Sequence, residues 1–344
     1  NTVLDMLRKV PMVTVDGQDN ITVNGQGSFK VYVDGKPNVM FSSNPSQIFK
    51  AMPASAVKSI EVVTNPGAKY DAEGVGGVLN IVMNNSDGKN KVNLNGYNGN
   101  VAVTVSNKGY RGSTFFSGQQ GKFTYSANVM GTKGKMNGTE TEMRRTSSDG
   151  SAMSYWQKGN TNINFTMANI SLGYELDSMS NIGATFGLTS HKMKNDGHPT
   201  TTFSGGAYGT GFTYGNEMTM ENKSTSFNGS VDYQRFFNKA RTSSLTLSYL
   251  FTTSPAESNN RRTYDVLPAG VTIPLSDLYS TAKTRGTEHT VQVDFTTPLA
   301  KGQTLSTGLK FISHRNSSDS KFYDITDGTE VYNAANSVNY KNTQ

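Results

Sequence analysis

The histidines are the first residues to weigh as metal ligands or catalytic bases. His191, Asp196 and His198 fall in one polar stretch, and the other two histidines lie far along the chain. These three residues could hold zinc or could be ordinary polar surface positions, since a zinc site needs three or four ligands that converge. Residues 324–330 resemble a calcium loop in acidity alone, and their Asp-Gly pair is typical of a turn. We therefore predict no metal site and no cofactor.

No arrangement of residues predicts an enzyme. The chain has no cysteine, which excludes disulfides, thiolate zinc sites and cysteine nucleophiles. The G-x-S-x-G elbow and the H-E-x-x-H zinc motif are both missing from the sequence. Residues 206–211 are rich in glycine but lack the G-x-G-x-x-G spacing and the strand-then-helix context of a nucleotide-binding loop. We predict that the protein is not an enzyme.

Aromatic residues in the polar stretches are candidates for ligand contact. Five of them stand out: Tyr208, Phe212, Tyr214, Tyr264 and Tyr279. Their rings could stack on a sugar or on an aromatic chelator, or they could pack on one another within surface loops. The sequence leaves both interpretations open.

Residues 60–83 carry the most specific pattern in the chain. A β-branched run over 60–64 predicts a strand, and residues 78–83 predict a second one. A Pro-Gly turn, a tyrosine and three glycines separate the two strands: Asn65, Pro66, Gly67, Tyr70, Gly74, Gly76 and Gly77. Proline fixes φ and glycine accepts positive φ, so a turn is expected at the start of this segment. The consecutive glycines at 76 and 77 predict at least one positive φ.

This pattern resembles the end of the plug domain of TonB-dependent outer-membrane receptors, where a strand, a Pro-Gly turn, a tyrosine-containing loop and a glycine-rich hinge lead into a β-barrel. Residues 1–7, 31–37 and 53–59 resemble the plug's opening helix, its central strand and turn, and the approach to the motif. The resemblance covers residues 1–84 in order. It implies that Glu61 and the motif residues named above have structural and gating roles.

The same resemblance implies partners. The plug would occlude a barrel in outer-membrane lipid and rearrange when a TonB-type protein pulls on a segment N-terminal to this chain. A small or oligomeric solute would be the cargo, and a surface lipoprotein is a possible further partner. The alternating strands and the plug pattern look similar to the outer-membrane β-barrel family common in Bacteroidetes.

Within residues 1–84 the periodicity is mixed. Val3, Leu4, Leu7 and Val10 form one apolar helix face, which Pro11 would end. Short strands are predicted around residues 12–15, 21–23 and 29–33, and a turn or two of helix over 45–51. We therefore predict a small α/β plug domain, truncated at its N-terminus, over residues 1–84.

From residue 90 the apolar period becomes two. In residues 181–189, for example, Ile182, Ala184, Phe186 and Leu188 alternate with glycine and threonine. The alternate face is mostly Thr, Ser, Asn, Gln and Gly, whereas a soluble sandwich usually places charged residues there. One segment changes phase near Ala168, which a β-bulge at residues 168–169 or a change of environment along the strand would explain.

The connectors alternate in length. Short ones are predicted at residues 119–122, 177–180, 238–242 and 298–303, and long polar ones at 134–152, 190–217, 254–284 and 314–332. Short turns on one rim and long loops on the other are typical of outer-membrane barrels. We predict that residues 85–344 form the first nine or ten antiparallel strands of a transmembrane barrel with long extracellular loops. Plugged transporters have about 22 strands, so the barrel is expected to be incomplete and the chain a fragment.

Charge and hydropathy agree with this prediction. The net charge of +6 lies entirely beyond residue 84 without forming a basic stripe, so we predict no nucleic-acid partner. No run of 18 apolar residues occurs, which argues against a membrane-spanning helix. The expected function is energised import of a scarce, bulky solute (a siderophore, cobalamin, glycan or peptide) across the bacterial outer membrane. The alternative is a non-transporting surface receptor or adhesin on the same scaffold.

Overall fold

The computed structural model describes residues 2–33, 35–38, 41–42, 45–63, 76–84, 95–268, 271, 273–300 and 303–343. The chain opens with helix α1 (Val3–Leu7), whose N-cap Thr2 forms a capping box with Asp5. This helix is shorter than predicted. Val10 lies beyond the helix and packs against the core from there, so its apolar spacing reflects core contact rather than helix.

Two small sheets and a second helix complete the N-terminal region. The elements are β1 (Val13–Val15), β2 (Ile21–Val23), β3 (Lys30–Val33), β4 (Lys36–Pro37), α2 (Pro45–Ala51), a 3₁₀ turn (Ala54–Ala56), β5 (Val57–Val63) and β6 (Val78–Met83). β1 pairs with β2, and the four-stranded sheet has the order β4-β3-β6-β5, in which β3 and β6 are parallel. The predicted strands and the second helix are confirmed.

A single apolar core holds these elements together. Val3 and Leu7 of α1, Phe49 of α2 and Leu79 and Ile81 of β6 are fully or almost fully buried. Burial of each such side chain contributes roughly 1.5–3 kcal/mol. The residues that carried the predicted helix and strand patterns are therefore those that form this core.

The rest of the described chain is one antiparallel sheet of ten strands in sequence order. The strands are β7 (Gly96–Ser106), β8 (Gly109–Gln120), β9 (Phe123–Thr146), β10 (Ala152–Asp177), β11 (Ser180–Ser204), β12 (Phe212–Phe236), β13 (Ser244–Tyr264), β14 (Leu278–Ala300), β15 (Gln303–Thr326) and β16 (Thr329–Thr343). Within the described residues β7 and β16 are the two edges and do not pair with each other. The predicted fold class, a small α/β unit followed by strands of an unclosed barrel, is confirmed.

The two faces of this sheet have inverted polarity. In β13, Leu247 and Tyr249 are each 42% exposed, whereas the intervening Ser248 is 4% exposed and Thr246 is 8% exposed. In β14, Val291 is exposed, and Thr290 and Gln292 are buried. We call the apolar face the outward face and the polar one the inward face. Exposed apolar and buried polar side chains are what a lipid-facing barrel wall requires.

The long polar connectors predicted from sequence are largely strand. Arg261 pairs with Tyr279 and His198 pairs with Lys158, deep within the predicted loops. The tips that remain are 147–151, 205–211 and 265–277, part of which lies outside the described residues, and the turn at 327–328. The strands therefore run well past the roughly 9–11 residues that cross a bilayer. The short turns predicted at 119–122, 177–180 and 238–242 fall where they were predicted, and residues 301–302 of the fourth lie outside the described residues.

Of the two explanations offered for the phase change near Ala168, the β-bulge at residues 168–169 is wrong. Ala168 and Asn169 pair in register with both neighbouring strands. The strand is continuous, and the apolar residues change face along it. Ile163, Phe165 and Met167 lie on the inward face, whereas Ile170 and Tyr174 lie on the outward face, so the phase change reflects a change of environment. No helix within the described residues has the length and apolar character needed to cross a membrane.

Candidate functional site

The plug motif is described in part. Glu61, Gly76 and Gly77 are placed, and the other predicted motif residues lie outside the described residues: Asn65, Pro66, Gly67, Tyr70 and Gly74. The Glu61 carboxylate accepts a hydrogen bond of 2.8 Å from the Asn80 side-chain amide. The Asn80 carbonyl oxygen in turn accepts one of 2.8 Å from the Gly35 backbone N–H. Glu61 therefore joins β5, β6 and the turn after β3, which is a structural position.

Gly76 and Gly77 stand where backbones approach closely. A Cβ at Gly76 would lie 2.2 Å from the Gln26 Cβ, which is impossible without movement. Gly77 has a φ of 159°, and a Cβ there would lie 3.1 Å from both a Val23 methyl and the Val63 carbonyl oxygen. The predicted positive φ is confirmed at Gly77. Gly76 excludes a side chain for reasons of space, whereas at Gly77 a Cβ would be tight and the positive φ disfavours any residue other than glycine.

The N-terminal region contacts the ten-stranded sheet at the rim of short turns. The Asn38 side-chain amide donates a hydrogen bond of 3.0 Å to the Gln119 Oε1. Gln119 lies near the end of β8 on the same inward face as the buried Ser117. The turn that carries Gly35 lies against the Arg241 side chain, with 3.3 Å between the Arg241 Cδ and the position of a Cβ at Gly35. The plug therefore faces the inward surface.

Four of the five aromatic candidates come together at the opposite end. Phe212, Tyr214 and Tyr264 occupy inward positions of β12 and β13, and Tyr208 packs on them from the turn before β12. Ring centroids are 6.1 Å apart for Tyr208 and Phe212, 6.4 Å for Phe212 and Tyr214, and 5.6 Å for Tyr214 and Tyr264. Phe212 is buried, and the two tyrosines of the strands keep part of their surface accessible.

Tyr279 does not join this cluster. It occupies an outward position of β14, where its ring lies 5.7 Å from that of Tyr323. Its hydroxyl donates a hydrogen bond of 3.4 Å to the Asn259 side-chain oxygen. The register of β13 and β14 thus separates Tyr264 and Tyr279 onto opposite faces of the sheet.

Three further residues complete the inward surface, and the sequence did not single them out. Phe203 of β11 pairs directly with Phe212, with ring centroids 5.3 Å apart. Tyr155 of β10 and Arg262 of β13 face the same side beyond the apolar band of the barrel. Partial burial raises the pKa of the Tyr155 hydroxyl, and the Arg262 guanidinium opposes that shift. Phe203 was missed because residues 190–217 were predicted to be a loop, so the pairing of Phe203 with Phe212 was not foreseen.

The histidines do not converge. His198 occupies an outward position, where its Nε2 lies 3.0 Å from a carboxylate oxygen of Asp265. His191 occupies an inward position of the same strand. Among the described residues no group of three or more His, Cys, Asp or Glu side chains could hold a metal ion. The Asp327-Gly328 pair is the turn between β15 and β16, with φ values of 50° and 76°.

Two family profiles match the chain. Residues 1–78 match the TonB-dependent Receptor Plug Domain, and residues 235–344 match the Outer membrane protein beta-barrel family. No curated protein sequence matches the chain significantly.

Solved structures with similarity to the chain include receptors and a transporter for ferric compounds. The ferric yersiniabactin uptake receptor FyuA from Yersinia pestis is 14% identical, with 100% of this chain and 58% of that chain covered and a TM-score of 0.32. The ferric citrate transporter FecA is 13% identical, with coverages of 99% and 56% and a TM-score of 0.22. BauA, the ferric preacinetobactin receptor of Acinetobacter baumannii, is 9% identical, with coverages of 94% and 61% and a TM-score of 0.26.

This chain therefore spans a little over half of the length of FyuA and FecA. The plug match and the barrel match fall on the two regions that differ in architecture, the small α/β unit and the open sheet with inverted polarity. The chain therefore joins a region that matches the plug domain of TonB-dependent receptors, residues 1–78, to strands of which residues 235–344 match an outer-membrane β-barrel family, and this combination places it in the bacterial outer membrane.

Proposed function

We propose that this chain is the plug and part of the barrel of a receptor that imports a bulky solute across the outer membrane. In this proposal the plug comprises residues 1–84 and the barrel begins at residue 85. The plug blocks the pore from the rim of short turns, and the inward surface of the strand extensions binds the cargo. A TonB-type protein supplies the energy, and no catalysis is involved.

The observation that carries this proposal is the placement of the aromatic cluster. Tyr208, Phe212, Tyr214 and Tyr264 lie on the inward face at the end remote from the Asn38–Gln119 contact of the plug. A solute bound there would have the plug beneath it. An adhesin would have no need of a binding surface directed into its own barrel, so this placement favours import over adhesion.

The inward surface also indicates the kind of cargo. Aromatic rings offer flat faces for stacking, and the Arg262 guanidinium near Tyr155 offers a positive charge. A solute with planar or apolar parts and some negative charge would match both features. Siderophores and cobalamin suit this surface better than neutral glycans, although glycans and peptides stay among the proposed classes.

A pair of matched variants tests the binding surface. In the intact receptor, Tyr214→Ala combined with Tyr264→Ala should weaken binding of the cargo by about 30-fold, because central aromatic contacts typically contribute about 1 kcal/mol or more each. Tyr279→Ala removes a similar ring from the outward face and should leave binding unchanged. Binding to whole cells is measured with a panel of labelled ferric siderophores, cobalamin and oligosaccharides, at equal surface abundance.

Uptake measured on the same cells separates the two functions. If a bound panel member accumulates inside wild-type cells only when the membrane is energised, import is supported. A receptor that binds a panel member tightly and never accumulates it would instead be a surface receptor. Equal loss of binding in the double variant and in Tyr279→Ala would remove the inward surface from the proposal.

A further inference from the structure

An apolar groove lies on the outward face of β10 to β13. It has a volume of about 520 Å³ and its lining side chains include Ile170, Phe186, Phe227, Val231, Tyr249 and Phe251. Gly229 opens the groove, because the position between Phe227 and Val231 carries no side chain. The groove spans three strand spacings, about 15 Å. It is therefore wide enough for more than one acyl chain.

A basic surface follows directly along the same strands. A second groove on the outward face of β12 to β16 is lined by Lys223, Lys283, Arg285 and Lys341, together with Glu257 and Asp319. The strand register places all six on the same face as Phe227, Tyr249 and Val291. Lys223 is four residues from Phe227, which corresponds to about 13 Å along the strand.

Several basic side chains of this surface have no ion-pair partner among the described residues. Glu221 forms ion pairs with Lys192 at 3.3 Å and with Lys223 at 2.7 Å. Within the described part of the chain, Lys283, Arg285 and Lys341 form no ion pair. Four cations against two carboxylates line the second groove. An anion with several negative oxygens would be attracted to this surface.

The order of the two surfaces fixes their orientation in the membrane. The plug contacts at Gln119 and Arg241 belong to the rim of short turns. From that rim the strands pass first through the apolar groove and then through the basic surface. The basic surface therefore lies where the outer leaflet meets water on the side remote from the plug.

We propose that these two surfaces together bind a phosphorylated lipid with several acyl chains from the outer leaflet. The acyl chains occupy the groove around Gly229, and the phosphates contact Lys283, Arg285 and their basic neighbours. This proposal rests on the outer-membrane location of the chain and not on import, so it can fail while the proposed function holds.

The charge requirement is tested with the purified, delipidated intact receptor in detergent. Bound lipid is counted by native mass spectrometry during titration with bisphosphorylated lipid A, dephosphorylated lipid A and phosphatidylglycerol. Wild type should bind the first most tightly. Lys283→Ala combined with Arg285→Ala should weaken that binding roughly 30-fold, about fivefold per cation. Lys158→Ala removes an exposed lysine that pairs with Glu140 about 20 Å farther from the membrane and should bind as wild type does.

The apolar requirement is tested with a variant that fills the groove. A Cβ at Gly229 would have its nearest contacts at 3.6 Å, so Gly229→Leu adds a side chain without backbone conflict. It should weaken binding of lipid A with or without phosphates. Gly131→Leu adds the same side chain to the outward face of β9, where nothing lies within 4 Å, and serves as the matched control.

Two results would overturn the proposal. One is equal binding of lipid A by wild type and by the Lys283/Arg285 variant. The other is binding of phosphatidylglycerol as tight as that of bisphosphorylated lipid A, which would mean that any anionic lipid satisfies the surface. Heat-dependent mobility of each variant in electrophoresis confirms that the barrel has folded before the titrations are compared.

Discussion

Phe186 and Thr185 are adjacent in β11, yet their side chains meet different surroundings. Phe186 is 54% exposed on the outward face, beside Ile170 and Gly229. The Thr185 hydroxyl lies 2.7 Å from the Ser230 hydroxyl on the inward face. The predicted alternation of Ile182, Ala184, Phe186 and Leu188 with the intervening residues is thus present in the structure. Because lipid tolerates no unpaired charge, the two positions should respond very differently to arginine.

Phe186→Arg should lower the free energy of unfolding by about 2–4 kcal/mol, the cost of arginine near the bilayer midplane. Thr185→Arg should cost about 1 kcal/mol, because it removes one hydroxyl contact but leaves the guanidinium on the polar side. Both variants of the intact receptor are compared by urea titration after refolding into lipid vesicles. Equal destabilisation at the two positions would show that the outward face of β11 is not in lipid.

The aromatic candidates show what residue types alone can predict. Tyr264 and Tyr279 have the same side chain and similar polar neighbours, so composition could not separate them. Their faces depend on the register between β13 and β14, which is a property of two strands rather than of one residue. Phe203 was missed because its segment was predicted to be a loop, so its pairing with Phe212 of another strand was not foreseen.

At the scale of the element, alternation predicts strands best where one face meets lipid. The apolar parts of β11, β13 and β14 were predicted because lipid and polar interior select opposite residues. Their outer extensions meet water on both faces, so the alternation fades and the segments resembled loops. Backbone pairing continues there all the same, as between Arg261 and Tyr279. In the plug the apolar residues are buried instead of exposed, as Leu79 and Ile81 are. The apolar positions of the sequence therefore predicted the plug core directly.

The hinge before β6 consists of Gly76 and Gly77, and the positive φ predicted for this pair is present at Gly77. Gly77→Val places a β-branched residue at a φ of 159° and its Cβ 3.1 Å from the Val63 carbonyl oxygen. Local strain of about 1–3 kcal/mol is expected. If the hinge must rearrange during transport, this variant in the intact receptor should lose uptake to a greater extent than ligand binding. Surface abundance, binding and uptake are measured side by side.

Gly17→Val is the control for this substitution. Gly17 also lies in the plug, but nothing lies within 4 Å of a Cβ there, so uptake should be kept. Proportional loss of abundance, binding and uptake in Gly77→Val would leave the hinge with a structural role alone.

At the scale of the whole molecule, the plug meets the barrel at the rim of short turns. The Asn38–Gln119 hydrogen bond and the packing of Arg241 against the Gly35 turn are two of the contacts there. Arg241 also donates a hydrogen bond of 3.3 Å to the Ser178 carbonyl oxygen, which links two neighbouring short turns. If transport displaces the plug from this rim, these contacts must break. This makes the Gly35–Arg241 contact the place to test whether displacement is needed.

A disulfide across this contact would lock the plug to the barrel. The Arg241 Cβ lies 3.8 Å from the position of a Cβ at Gly35, within the range of about 3.5–4.5 Å that disulfides require. These 344 residues contain no cysteine, so Gly35→Cys with Arg241→Cys creates a single possible pair within them. Arg241 already has a φ of 56°, so the strain of a side chain at positive φ is added at Gly35 alone, at a cost of about 1 kcal/mol.

In the oxidised double variant, ligand binding should be kept and uptake should fall to the level of a receptor-deficient strain, because the plug can no longer leave the short-turn rim. A reductant should restore uptake in the same cells, and each single cysteine variant should import as wild type does under both conditions. These controls separate the lock from the strain at Gly35, which is present whether or not the disulfide has formed. Full uptake by the oxidised protein would mean that the Gly35 turn stays in place during transport, and the proposed gating would then have to occur elsewhere in the plug.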